Sequence, residues 1–173
     1  LVSLVFGFRQ PRKEVLGTVF AGEIVETGAN VSNFKFGDLV FGSTEMAMAT
    51  HAEYIAVKET QAIALMPEGY SPQAMASLVF GGSTAIFFAD KLDLKKGDRI
   101  LINAAAGSVG ISLVQIASAI GAKVTAVASA KNHEFLKENG AEHAVGYTAT
   151  DTTTLAGKYD VIADCLGTTP YNT

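Results

Sequence analysis

The 173 residues are 49% hydrophobic and carry a formal net charge of −4, with 13 Lys and Arg spread along the chain rather than gathered in a run. That is enough apolar material for a packed core, which excludes a disordered chain, and the lack of a basic run argues against a nucleic-acid surface. One cysteine excludes an internal disulfide, and no four-ligand Cys/His spacing is present, so a reducing, cytoplasmic setting is expected and a zinc-finger element is not.

The opening "LVSLVFGF" is too short for a membrane helix and has no basic flank, so it does not read as a signal peptide. Apolar runs such as Ile111 to Ile120 are broken by Ser, Gln and Gly before the roughly 20 residues of a membrane span, and no membrane partner is expected. The chain starts without Met in an apolar segment and stops just past a predicted strand, "GTTPYNT", which suggests a fragment.

From Val15 to Val57 the pattern is of short strands separated by Gly-centred turns, "VLGTVFAGEIVETG", "FKFGDLVFG" and "HAEYIAV". Alternation over Gly22-Glu23-Ile24-Val25-Glu26 and Glu53-Tyr54-Ile55-Ala56-Val57 predicts half-buried strands of a small β-barrel. Gly37-Asp38 predicts a turn whose Gly takes positive φ and whose Asp bonds its own backbone. The texture changes at Pro67-Glu68-Gly69-Tyr70, which places a boundary between an all-β domain at 1–68 and an α/β domain at 69–173.

Ser71-Pro72 supplies an N-cap and a first-turn proline, and "QAMASLVFGGSTAIFFADKL" predicts a helix with a break at Gly81-Gly82. Alternating units follow: strand Arg99 to Asn103, helix Ser108 to Ile120, strand Lys123 to Ala128, helix Asn132 to Asn139, and strands His143 to Gly146 and Tyr159 to Asp164. Strand and helix in alternation predict a doubly wound parallel sheet with both faces covered, with helix stops at Gly121 and Gly140.

The turn between the first strand and helix of this part carries the chemistry. A dinucleotide fold needs small residues there for a tight turn, for close approach of a pyrophosphate to backbone N–H groups, and for helix–strand packing. Ala105, Gly107 and Gly110 occupy those points, with Ala where Gly is usual. A tight βαβ turn without a ligand is the plainer alternative, and the strand–turn–helix–strand context favours nucleotide binding over it.

At the end of the second strand, where an NAD site places a carboxylate, the chain reads Ala128-Ser129-Ala130-Lys131 with no acid until Glu134. A hydroxyl and a lysine suit the 2′-phosphate of NADP, although Lys131 could simply open a solvated helix. His51, His133 and His143 fall in different predicted elements. His133 reads as a helix-surface residue, His143 as leading into a strand, and His51 as a loop residue of unassigned role. Cys165 reads as a small core residue rather than a ligand or nucleophile.

"LGTVFAGEIVETGANVSNFKFGDLVFG", "HAEYIAV", "GDRILINAAAGSVGISLVQIASAIGAKVTAVAS", "ENGAEHAVGY" and "KYDVIADCLG" together resemble the medium-chain dehydrogenase/reductase superfamily, most closely its zinc-less quinone-oxidoreductase-like branch. The resemblance implies a GroES-like β-barrel segment followed by a Rossmann doubly wound parallel sheet, both incomplete, with NADP(H) and a small electrophilic substrate in the cleft between them. It places Asn103 and the loop Ala105-Ala106-Gly107-Ser108-Val109-Gly110 at the pyrophosphate. Ser129, Lys131 and Tyr147 fall at the adenosine 2′-phosphate, Thr84 near the nicotinamide, and Cys165 and Gly167 at the carboxyl edge of the fourth strand.

Leu16-Gly17-Thr18-Val19 stands where zinc alcohol dehydrogenases carry a His-Glu pair, so no metal site is expected. The activity implied is zinc-independent hydride transfer from NADPH to a quinone, enone or related compound, by a homodimer, with no catalytic acid assigned. A zinc-type alcohol dehydrogenase, a non-catalytic NADP-binding protein and a Rossmann-like methyltransferase are the alternatives, the last disfavoured by the β domain.

Overall fold

The computed structural model describes residues 13–147 and 158–167. The "LVSLVFGF" and "GTTPYNT" readings therefore lie wholly or mostly outside the described residues. The chain divides into two compact units between Val79 and Phe80, and each is taken by itself.

In the first unit, β1 (Val19–Glu23), β2 (Leu39–Ser43) and β3 (Ala62–Leu65) form an antiparallel sheet in that order. Val40 of β2 is opposite Gly22 of β1 and Leu65 of β3, and is buried. Gly37 has φ 85°, and the Asp38 carboxylate accepts a hydrogen bond from Lys35 N at 2.9 Å, which closes the predicted turn. Farther on, the Glu59 carboxylate accepts from the backbone N–H groups of Ser32 and Asn33 and holds that loop.

Two strand expectations are corrected here. The ladder of β1 ends at Glu23, one pair short of the Ile24 N–H that donates to Asp38 O at 2.9 Å, so Gly22 to Glu26 is not a full strand. Glu53 to Val57 forms no ladder among the described residues. Ile55 and Val57 are half-buried and their neighbours exposed, so the alternation marks extended chain, and a strand also needs a partner. The third strand is the short "AIAL" at Ala62–Leu65, which periodicity did not single out.

Helix α1 (Pro72–Leu92) begins where Ser71 Oγ accepts from Ala74 N at 3.2 Å. The predicted break at Gly81-Gly82 is absent, and the helix runs unbroken for 21 residues. Close packing explains the glycines. A Cβ on Gly81 would meet the Ser108 side chain and its carbonyl carbon, the latter at 2.7 Å, and Gly82, Ala85 and Ala89 continue a buried small-residue stripe. By length and composition α1 would also pass for a membrane-crossing helix, with mean hydropathy 1.2, contrary to the expectation from apolar runs alone. A core helix passes the same test, and Ala85 and Ala89 sit in the core of the second unit.

That unit holds β4 (Arg99–Asn103), β5 (Lys123–Ala128), β6 (His143–Gly146) and β7 (Val161–Asp164), all parallel in the order β6-β5-β4-β7. Helices α2 (Ser108–Ile120) and α3 (His133–Glu138) follow β4 and β5. Ile100, Ile102, Leu113, Val114, Val124 and Leu136 form the core, each at most 1% exposed. Left-handed Gly121 (φ 91°) and Gly140 (φ 108°) end the helices as the sequence predicts.

Three boundaries move inward, one of them the end of α3, which falls at Glu138 rather than Asn139. The β7 ladder starts at Val161 rather than Tyr159, and α3 starts at His133 after a single 3₁₀ turn over Ala130–Asn132. From β4 the chain builds β5 and β6 to one side and β7 to the other. The strand order therefore reverses beside the carboxyl end of β4, where parallel α/β sheets bind ligands.

Candidate cofactor-binding site

At this reversal β4 passes into α2 through a turn whose backbone is held from both sides. Asn103 Oδ1 accepts from Ala104 N at 2.9 Å, and Asn103 Nδ2 donates to Asp164 Oδ1 at 3.0 Å. The same Asp164 oxygen accepts from Leu166 N at 3.0 Å, and Cys165 N donates to Asn103 O at 3.3 Å, so the ends of β4 and β7 are tied together. Ala104 adopts φ 55°, a left-handed conformation that its Asn103 bond helps fix. Neither Asp164 nor the twist at Ala104 was picked out from the sequence. The only cue was a polar residue ending each of two apolar strands.

The floor of the turn is made by what it lacks. Ala105 is fully buried, with its N–H donating to Val127 O at 3.0 Å. A Cβ on Gly110 would lie 2.5 Å from Ala104 O and 2.7 Å from Ala105 Cα, so no side chain fits there. Gly107 is the N-cap, extended and without a capping side chain, and the first turn of α2 holds no acidic residue. The N–H groups of Ser108, Val109 and Gly110 thus start a helix with no intrahelical acceptor, at the positive end of its dipole. Ser108 is exposed, Ala106 and Val109 half-buried. This is a cradle for an oxyanion, and its residues fit a pyrophosphate.

The parallel topology brings most of the other expected residues to the same edge. Tyr147, Ser129, Asn103 and Cys165 stand at the carboxyl ends of β6, β5, β4 and β7. Asn132 Nδ2 donates to Ser129 Oγ at 3.2 Å, Lys131 is exposed in the 3₁₀ turn, and Tyr147 is 61% exposed. Gly167 is exposed with φ 74°. Burial, with a smaller contribution from the Asp164 charge, pushes the half-buried Cys165 thiol up, away from the thiolate a nucleophile needs. Thr84 lies on α1 rather than on this edge, half-buried and one helical turn from Gly81, which packs on Ser108.

The histidines stay apart. His133 opens α3 half-buried rather than fully exposed, with Nε2 3.4 Å from Ala128 O, where the 3₁₀ turn leads from the end of β5 into α3. His143 opens β6, and His51 lies in the first unit. Among the described residues no group of three or more His, Cys, Asp or Glu side chains is placed to hold a metal ion.

A four-stranded parallel sheet with a small-residue turn at its strand reversal defines a dinucleotide-binding fold of the Rossmann type, here preceded by an antiparallel β unit. Residues 3–68 match the alcohol dehydrogenase GroES-like domain family, and residues 108–173 match the zinc-binding dehydrogenase family. The chloroplast envelope quinone oxidoreductase homolog of Arabidopsis thaliana is 34% identical over 94% of this chain and 53% of its own length. The NADPH-dependent alkenal/one oxidoreductase of the same plant is 32% identical over 91% of this chain and 43% of its own. The quinone oxidoreductase from Coxiella burnetii superposes with TM-score 0.86 at 33% identity, over 96% of this chain and 53% of its own. The chain therefore belongs to the medium-chain dehydrogenase/reductase superfamily, in its quinone-oxidoreductase-like branch. It spans about half the length of these relatives.

Proposed function

We propose that the chain is part of a zinc-independent oxidoreductase that binds NADP(H) and reduces a quinone, enone or similar small electrophile. The observation that carries the reading is the uncapped start of α2 over its Ala105–Gly110 floor, with cationic Lys131 and no carboxylate at the end of β5. The alkenal/one and quinone oxidoreductase relatives support the substrate class, and the relative named for NADPH supports the cofactor. Thr18 and Val19 offer neither an imidazole nor a carboxylate where zinc enzymes of the superfamily hold their metal, which supports zinc independence.

In this reading the cofactor supplies the hydride. The N–H groups of Ser108 to Gly110 bind its pyrophosphate, and Asn103 fixes their turn through Ala104 and Asp164. Ser129, Lys131 and Tyr147 take the 2′-phosphate, Thr84 lies near the nicotinamide, and Cys165 and Gly167 stand at the carboxyl edge of β7. The division into domains 1–68 and 69–173 and a homodimer belong to the same proposal.

Titration calorimetry of NADPH and NADH against the parent chain and Lys131→Ala tests it. Loss of one charge-assisted contact is expected to weaken NADPH binding about tenfold and leave NADH unchanged. Preference of the parent for NADH, or unchanged NADPH affinity in Lys131→Ala, overturns the NADP assignment.

A further inference from the structure

The first unit contains a second concentration of unusual backbone. Glu45, Met48 and Ala49 have φ of 50°, 58° and 76°, the left-handed region that non-glycine residues avoid. Such residues persist only where the surroundings over-determine them, and they gather at sites that bind or react. Here the surroundings are a backbone clasp between distant segments. Ala49 N donates to Val15 O at 3.2 Å, Thr50 N to Gly17 O at 3.3 Å, and His51 N to Leu16 O at 2.9 Å, while the Met48 side chain is buried.

The clasp brings two polar side chains to one point above Gly17. Gly17 has φ 88°, and a Cβ there would run into the Thr50 hydroxyl and the His51 ring, with His51 Nε2 at 2.9 Å. Thr50 Oγ1 is withdrawn from solvent and has no hydrogen-bond partner among the described residues. A buried hydroxyl left unpaired is costly, and in a native fold it calls for an explanation. His51, in contrast, is exposed, so its ring can change rotamer beside that hydroxyl.

We infer that Thr50 and His51 form a binding site for the carbonyl oxygen of a small conjugated ketone or quinone. A hydroxyl and an imidazole N–H directed at one oxygen are donors that strengthen as negative charge gathers on it. Residues 44–53 carry Glu45 and Glu53 and no Lys or Arg, so a formally anionic ligand is disfavoured and a neutral carbonyl is not. The inference rests on the hydride-transfer reading above. A bound cofactor would supply the hydride, and the charge that then develops on the carbonyl oxygen would be met by the Thr50 hydroxyl and the His51 N–H, with solvent supplying the balancing proton.

The test needs no turnover. The ¹⁵N-labelled chain is titrated without cofactor with 2-cyclohexen-1-one, and with cyclohexene as the control that lacks the oxygen, while the amide signals of Gly17, Thr50 and His51 are followed. The ketone is expected to move these signals and the alkene to leave them in place. Thr50→Val and His51→Ala should each weaken the ketone about tenfold. Thr50→Val should keep or raise the melting temperature, because the hydroxyl it removes has no partner to lose.

Unmoved signals at the three positions, or an unchanged ketone affinity in Thr50→Val, overturn the inference. So does a Thr50→Val chain that melts markedly lower, which would mark the hydroxyl as a structural bond. NADPH titration of the same sample reports on the second unit alone, so failure here and failure of the cofactor reading are told apart.

Discussion

Two turns of one pattern, Lys35-Phe36-Gly37-Asp38 in the first unit and Lys95-Lys96-Gly97-Asp98 in the second, lead into strands with opposite surroundings. Glycine φ is 85° in one and 93° in the other. In each, the Asp carboxylate accepts from the Lys N–H, at 2.9 and 2.8 Å, and the Asp N–H donates to the Lys carbonyl, at 3.2 and 3.1 Å. The strands then diverge. Along β2 buried residues alternate with more exposed ones, whereas Ile100, Leu101 and Ile102 of β4 are all buried in succession. Four residues fix the turn, and what covers the two faces of the sheet decides the strand that leaves it.

Core truncation should separate the units most strongly. Ile102→Ala removes a fully buried side chain from the centre of the parallel sheet and should cost about 2–5 kcal/mol. Val40→Ala, which takes two methyl groups from a core residue of a smaller sheet, should cost about 1.5 kcal/mol. Urea unfolding followed by amide exchange within each unit measures both. Equal losses would mean that the two strands are covered alike, which would end the contrast.

The same contrast explains what was legible in advance. Strands buried on both faces read as unbroken apolar runs, so β4 and β5 fall where "RILIN" and "KVTAVA" put them, and the half-buried β6 and the helix α2 also fall at "HAVG" and "SVGISLVQIASAI". The small-residue turn after β4 was legible because its residues answer a local steric need, shown at Gly110. Alternation in the β unit was a poorer guide, since Glu53 to Val57 has the pattern without a partner strand and Ala62–Leu65 has a partner without the pattern. Gly81 resembled a helix break because its reason, the start of α2 packed against it, is distant in sequence. The clasp that sets Thr50 and His51 over Gly17 was hidden for the same reason.

The turns themselves should respond alike. Nothing lies within 4 Å of a Cβ built on Gly37 or Gly97, so alanine at either position meets no clash and pays only for left-handed backbone. Gly37→Ala and Gly97→Ala should each lower stability by about 1–2 kcal/mol. Agreement between the two, by chemical denaturation, shows that the turn is locally determined. A Gly97→Ala loss several times larger would show that the parallel sheet adds to the demand.

The smallest effect is a difference in acid response. In the second unit the Asp160 carboxylate takes three hydrogen bonds from Arg99, from its backbone N at 2.9 Å and from Nε and Nη2 at 3.1 Å each. The Arg99 side-chain bonds, and then its backbone N–H, lower the Asp160 pKa from 3.8 to about 2. In the first unit the Glu59 carboxyl also lies below its ordinary 4.5, chiefly through the Asn33 and Ser32 N–H groups. A carboxyl held low in the folded state stabilises fully above its unfolded value and loses that contribution as pH falls through the folded value. The Glu59 contribution should therefore begin to fade below about pH 4.5, and that of Asp160 below about pH 3.8, continuing to about pH 2. Melting temperatures recorded from pH 6 to 2 should show a shallower decline in Glu59→Gln from the higher onset and in Asp160→Asn only over the lower range. Both groups are solvent-exposed, so the changes in slope should be small and should shrink further in high salt. An Asp160→Asn profile parallel to the parent down to pH 2 would show that the Arg99 contacts do not persist in solution, and with them would go the electrostatic tie between the starts of β4 and β7.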